Sequence, residues 1–167
     1  RRVENKKLVR SIIEESIKVK SLCASQCMDR IVQAGEIIAD TVSVGNKVLC
    51  CGNGGSAADA QHFSAELLNR FEKERKELAA LALTTDTSTI TSIANDYSFD
   101  SIFEKQIRAL GNEGDVLLAI TTSGNSKNIV NAIIAGKEHK MKVILLSGKD
   151  GGKAALKLTE EDLELRV

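Results

Sequence analysis

The chain has 167 residues, 43% of them hydrophobic and 28% charged, the balance of one globular domain large enough to bury a core. Lys+Arg and Asp+Glu both number 23, so no net field draws it toward nucleic acid or an anionic membrane, and 3% aromatics supply no platform for stacking bases. No apolar run nears the ~20 residues of a membrane span, and no stretch reads as a signal peptide, although the first residues, "RRVENKK", carry no methionine.

Residues 3 to about 44 read as helix without a strand signal. Leu8, Ile12, Ile13 and Ile17 form one apolar stripe, and Ile31, Ile37 and Ile38 form a second. Two such helices must bury their stripes on the domain or on another subunit. Four cysteines stand at 23, 27, 50 and 51. Cys23 and Cys27 share a helix face, whereas Cys50 and Cys51 end a strand and point to opposite sides. That spacing is not a zinc ribbon, and nothing else suggests an oxidising compartment. Reduced thiols and a cytoplasmic location are expected.

After Gly45 the pattern changes. "KVLCC", "LAALALTT", "DVLLAITT" and "KVILLSG" are short apolar runs, and "DLELRV" is a weaker fifth. Helical stretches at 56–71, 87–94, 101–110 and 126–139 lie between them. Strands alternating with helices predict a parallel sheet covered on both faces. The chain has no proline, no low-complexity segment and no solenoid repeat. It is therefore expected to be one domain, with residues 1–45 as N-terminal helices, packed on the domain or on another subunit, and 46–167 as an α/β core.

In open α/β sheets ligands bind beyond the carboxyl ends of the strands. "GNGGS" follows the first strand, with Ser56 placed to cap the next helix, and "TTSGNS" follows the third, with Ser126 in the equivalent position. Free N–H groups at a helix start, the helix dipole and the hydroxyls together suit an anion. Simple N-capping would explain either loop alone; two of them in one sheet favour a ligand. Gly52, Gly54 and Ala57 also satisfy the dinucleotide pattern G-x-G-x-x-[GA]. The acidic residue expected about 20 residues on is missing, because Asp86 comes too late and Glu66 lies within the helix. No Walker A motif is present, and the three hydroxyls and asparagine of the second loop suit a phosphomonoester.

His62, Glu66 and Arg70 share one side of the helix beginning at Ser56. His62 and Glu66 suit half a zinc site, and Glu66 equally suits a general base. Their spacing is also that of an ordinary solvated ion pair, so both readings stand at this point. Asn95 and Asp96, in "IANDYSFD", are expected in a loop over the same sheet edge. His139, in "GKEHK", closes a helix, where the dipole accounts for it.

Together, "CGNGGSAADAQHFSAELLNRFEKER", "LALTTDTSTITSIANDYSFD", "IFEKQIRALGNEGDVLLAITTSGNS" and "LSGKDGGK" resemble the sugar isomerase (SIS) domain family, and within it the phosphoheptose isomerases. These convert sedoheptulose 7-phosphate to D-glycero-D-manno-heptose 7-phosphate. The resemblance implies a flavodoxin-like α/β fold with a five-stranded parallel sheet, helices on both faces and an N-terminal helical pair. It further implies a homotetramer with sites shared between subunits, and a cytoplasmic role early in making the heptose of bacterial lipopolysaccharide. Residue by residue it assigns Asn53, Gly54, Gly55 and Ser56 to the first substrate loop, and Thr121, Thr122, Ser123 and Ser126 to the phosphate loop. Asn95 and Asp96 match a substrate-contacting pair. His62 and Glu66 match zinc (Zn2+) ligands, with Glu66 also the catalytic, substrate-facing carboxylate. The family continues past its last strand into a helix carrying a metal-binding glutamine and an acid–base histidine; the sequence to Val167 stops at "LELRV" before it, which puts the activity of a polypeptide ending there in question. Another SIS branch, similar to the initiator-associating factor, binds the replication initiator without catalysis, and Glu66 is the residue that branch does not need. A regulatory SIS domain that only senses a sugar phosphate would bring a DNA-binding module, which is not seen in these residues.

Overall fold

A computed structural model describes residues 1–167. Its first two helices, α1 (Arg2–Gln26) and α2 (Met28–Ser43), meet at Cys27, which ends one and begins the other. α1 buries none of its side chains, and Leu8, Ile12, Ile13 and Ile17 are each 54–60% exposed. α2 lies against the sheet, burying Ala34 and Thr41 and resting Ile37, Ile38 and Val42 on the core. Ile31 belongs instead to the exposed surface.

The sheet contains β1 (Val48–Gly52), β2 (Ala80–Ala82), β3 (Val116–Thr121), β4 (Lys142–Ser147) and β5 (Leu163–Arg166). All pairs are parallel and the order is β2-β1-β3-β4-β5, the doubly wound flavodoxin-like order. β1 and β3 are buried along their whole length, which is why their sequences are continuously apolar rather than alternating. Cys50 and Cys51 point to opposite faces as expected. Cys51 joins Ile93, Phe103, Ile107, Ile129 and Ile133 on one side, while Cys50 joins Ala34, Ala60, Phe63 and Leu67 on the other. All four thiols are free, and burial pushes the Cys50 thiol up to about 12, so it is neither charged nor reactive at neutral pH.

Several boundaries differ from the sequence reading. The run "LAALALTT" forms only a three-residue strand, because β2 is an edge strand with a ladder partner on one side. The helix after β1 is α3 (Gly55–Leu68), so Gly54, not Ser56, is its N-cap. The next, α4, spans Thr87–Asp96; Asp86 caps it by accepting from the Thr89 N–H. Asn95 and Asp96 are thus its last turn rather than a loop. A 3-10 turn at Phe99–Ser101 leads into α5 (Ile102–Leu110), and α6 spans Lys127–Glu138 with His139 as its C-cap. A short helix, α7 (Gly152–Ala155), was not expected. No helix is long and apolar enough to cross a membrane.

Candidate active site

The strand order reverses between β1 and β3, so the crevice beyond their carboxyl ends is where a ligand enters such a sheet. Gly52 pairs with Ile120 in the ladder, which starts the two loops side by side. In the first loop α3 folds back so tightly that a Cβ on Gly52 would lie 2.5 Å from the Ser56 carbonyl oxygen. Gly54 follows with φ +55°, a conformation that favours glycine. Backbone N–H groups can therefore approach a ligand without side chains in the way.

The second loop is braced from within and from behind. Thr121 Oγ1 accepts from the Gly124 N–H at 3.2 Å, and Ser123 Oγ accepts from the Asn125 N–H at 3.2 Å. Gly124 has φ +69°, and any Cβ there would collide with the Gly151 carbonyl. The Ala154 N–H donates to the Gly124 carbonyl at 2.8 Å, and the Lys153 N–H to Asn125 Oδ1 at 3.1 Å. The segment "GKDGGK" is thus the buttress of the second loop. Ser126 is the N-cap of α6, yet its hydroxyl makes no capping bond. Of the loop hydroxyls only Ser126 stands at an N-cap position, and it is not spent on the cap.

The two loops are joined directly. Asn53 Nδ2 donates to Asn128 Oδ1 at 2.9 Å, and Asn128 Nδ2 donates back to Asn53 Oδ1 at 2.8 Å. Asn128, near the start of α6, is only 2% exposed, and nothing in the sequence motif singled it out.

Glu66 and His62 lie on the side of α3 away from its buried Ala60 and Ser64. His62 Nε2 stands 2.9 Å from Glu66 Oε1, with the side chains 75% and 35% exposed. They border a hollow of about 280 Å³ with Asp59, Phe63 and Phe71. Arg70 turns elsewhere, to Glu74 at 2.8 Å. Its place is taken by Arg75, which donates to the carbonyls of Glu66 at 2.6 Å and Leu67 at 2.9 Å. That guanidinium closes the carboxyl end of α3 at the candidate catalytic residue; it follows the helix in sequence, where periodicity gives no signal. Asn95 donates to Asp96 Oδ1 at 2.9 Å on the exposed end of α4, with no bond to either loop.

One imidazole nitrogen and one carboxylate oxygen side by side are donors of the type zinc takes, and would amount to two of the four ligands of a tetrahedral site. No group of three or more His, Cys, Asp or Glu side chains assembles a complete site.

A doubly wound sheet with a glycine-rich and a hydroxyl-rich loop side by side at its switch point has the layout in which open α/β domains take a ligand. Residues 13–148 match the SIS domain family, and the chain belongs to that family. It is 57% identical over 154 residues to a phosphoheptose isomerase of Coxiella burnetii, covering 92% of this chain and 77% of the relative. A phosphoheptose isomerase of Halorhodospira halophila is 55% identical over 159 residues, covering 95% and 80%. The solved phosphoheptose isomerase of Neisseria gonorrhoeae superposes with a TM-score of 0.91 at 48% identity, covering 96% of this chain and 84% of that one. That of Francisella tularensis gives 0.93 at 46%, with the same coverage.

Proposed function

We propose that this protein is an aldose–ketose isomerase that converts sedoheptulose 7-phosphate to D-glycero-D-manno-heptose 7-phosphate. The observation that carries the reading is the pair of loops fixed side by side at the switch point, with Glu66 on the helix rising from the first. The reading is further supported by more than half identity to phosphoheptose isomerases over most of the chain.

Thr121, Thr122, Ser123 and Ser126 hold the phosphate with their hydroxyls and with the N–H groups at the start of α6. Asn53, Gly54, Gly55 and Ser56 hold the sugar end, and Asn95 and Asp96 contact it from α4. Glu66 acts as the general base that moves a proton between the first two carbons through an enediol. Its carboxylate is 35% exposed and stands 2.9 Å from His62 Nε2, so it can reach both solvent and a ligand. Bound zinc, held by His62 and Glu66 with further ligands, would polarise the carbonyl and stabilise the developing oxyanion.

The exposed stripe of α1 supports a homotetramer, because Leu8, Ile12, Ile13 and Ile17 have no cover within one chain. A cytoplasmic place early in assembling the heptose of bacterial lipopolysaccharide follows from the same reading. The test is direct: incubation of the full-length protein with sedoheptulose 7-phosphate in deuterated water, followed by NMR. The aldose should form with deuterium at its second carbon. No conversion would remove the reading.

A further inference from the structure

We propose that Asn128 is a positioning residue, and that its reciprocal amide pair with Asn53 is the latch that sets the gap between the two ligand loops. The proposal rests on the functional reading above for the identity of the ligand, but not for the latch itself. Asn53 is the first residue past β1, and Asn128 is the second residue of α6, two beyond Ser126. The two bonds, 2.9 and 2.8 Å, close a ring between residues 75 apart in sequence. One hydrogen bond would fix a distance; two fix the distance and the relative orientation of the loops. An amide buried to 2% exposure is tolerated only because its partner satisfies it.

The latch also redefines Asn53. A primary amide has two N–H donors and one carbonyl oxygen. The latch takes one donor and one lone pair from each asparagine, so Asn53 offers a ligand its second N–H and its backbone rather than a freely turning side chain. The same restraint protects it chemically. Asn53–Gly54 is the one Asn–Gly step in the chain. Attack of the Gly54 nitrogen on the Asn53 side-chain carbonyl carbon would expel ammonia and form a succinimide, which water opens to isoaspartate or aspartate. A side chain locked to Asn128 is held from that attack.

The experiment uses the full-length protein carrying Asn128→Ala, Asn53→Ala or both. Calorimetry measures affinity for sedoheptulose 7-phosphate, which spans both loops, and for inorganic phosphate, which needs only Thr121–Ser126. Asn128→Ala should weaken the sugar phosphate by about tenfold, the effect of one or two lost buried hydrogen bonds, and leave inorganic phosphate within about twofold. The double variant should bind no worse than the weaker single one, because either change breaks the same ring. In parallel, peptide mass spectrometry after prolonged incubation should find isoaspartate at residue 53 sooner in Asn128→Ala. The comparison is Ile133→Val, which trims the buried face of the same helix and supplies a matched loss of stability.

Equal weakening of both ligands would make Asn128 a structural residue of α6 and overturn the proposal. Unchanged affinity for both, or losses that multiply in the double variant, would overturn it as well. If the unaltered protein binds no sugar phosphate, the functional reading fails, and the isoaspartate comparison alone decides the latch: equal rates in Asn128→Ala and Ile133→Val refute it.

Discussion

His62 Nε2 and Glu66 Oε1 stand 2.9 Å apart on the outward side of α3, one helical turn from each other and open to solvent. A surface ion pair in that position adds at most about 1 kcal/mol, so stability gives little reason to place it there. Metal binding gives a better one. Loss of the outer-shell partners of a metal typically weakens binding by about 10–100-fold, and loss of a direct ligand should do at least as much. His62→Ala is therefore expected to lower zinc content, measured by elemental mass spectrometry, with the melting temperature nearly unchanged. Full zinc content in the variant would return the pair to a plain surface role.

Ser126 separates capping from binding. Removing an N-cap hydroxyl typically costs about 1 kcal/mol, but here the hydroxyl makes no capping bond. Ser126→Ala should leave thermal stability within about 0.5 kcal/mol while weakening sugar-phosphate binding several-fold. Calorimetry and melting measured on the same sample check both halves.

The apolar stripe of α1 should hold subunits together. Ile12→Asp with Ile13→Asp places charge in the middle of that stripe without touching the core, since α1 buries nothing within the chain. The full-length variant should lose the tetramer in light scattering yet keep its helical circular dichroism. A tetramer surviving both changes would move the interface elsewhere.

Asp162 provides a pH signature remote from the site. Burial alone would raise its pKa, but the Lys137 ammonium, the backbone N–H groups of Thr159 and Val143 and the Thr159 hydroxyl outweigh it and hold the carboxyl below its ordinary value. A lowered folded-state pKa stabilises fully above the unfolded value of about 3.9, and that contribution is lost as pH falls through the lower folded value. Asp162→Asn should melt earlier at neutral pH, and the gap from the unaltered protein should narrow on acidification below about pH 4. A gap independent of pH would show that the carboxylate charge is not what stabilises this corner.

Much of this was legible in the sequence, for reasons that can be named. β1 and β3 read clearly because both faces are buried, and burial on both faces leaves an unbroken apolar run. The two loops read clearly because glycine at 52, 54 and 124 reports backbone geometry that other residues resist. Helix starts were less legible. Ser56 looked like a cap because serine favours that position, but the close return of α3 over Gly52 moved the start of the helix to Gly55. Asn95 and Asp96 looked like a turn by composition, yet α4 carries them as its last residues. Asn128, Arg75 and the Gly151 buttress were invisible, because each acts on a residue distant in sequence or past a helix end, and no local period encodes such a meeting. Spacing alone placed His62 and Glu66 on one face of α3, where they meet at 2.9 Å.

If Glu66 moves the proton, Glu66→Gln in the full-length protein removes the base and little else. The change keeps size and most hydrogen bonding, and it leaves both loops and the Arg75 contact to the Glu66 carbonyl intact. Turnover of sedoheptulose 7-phosphate, followed by NMR at saturating zinc, should fall by about 10²–10⁴, the usual worth of a general base. Affinity for the sugar phosphate, measured by calorimetry on the same variant, should stay within about threefold, because the phosphate loop is untouched. A Glu66→Gln protein that still forms heptose 7-phosphate at the unaltered rate would contradict the assignment and leave the chain a binding domain at this position.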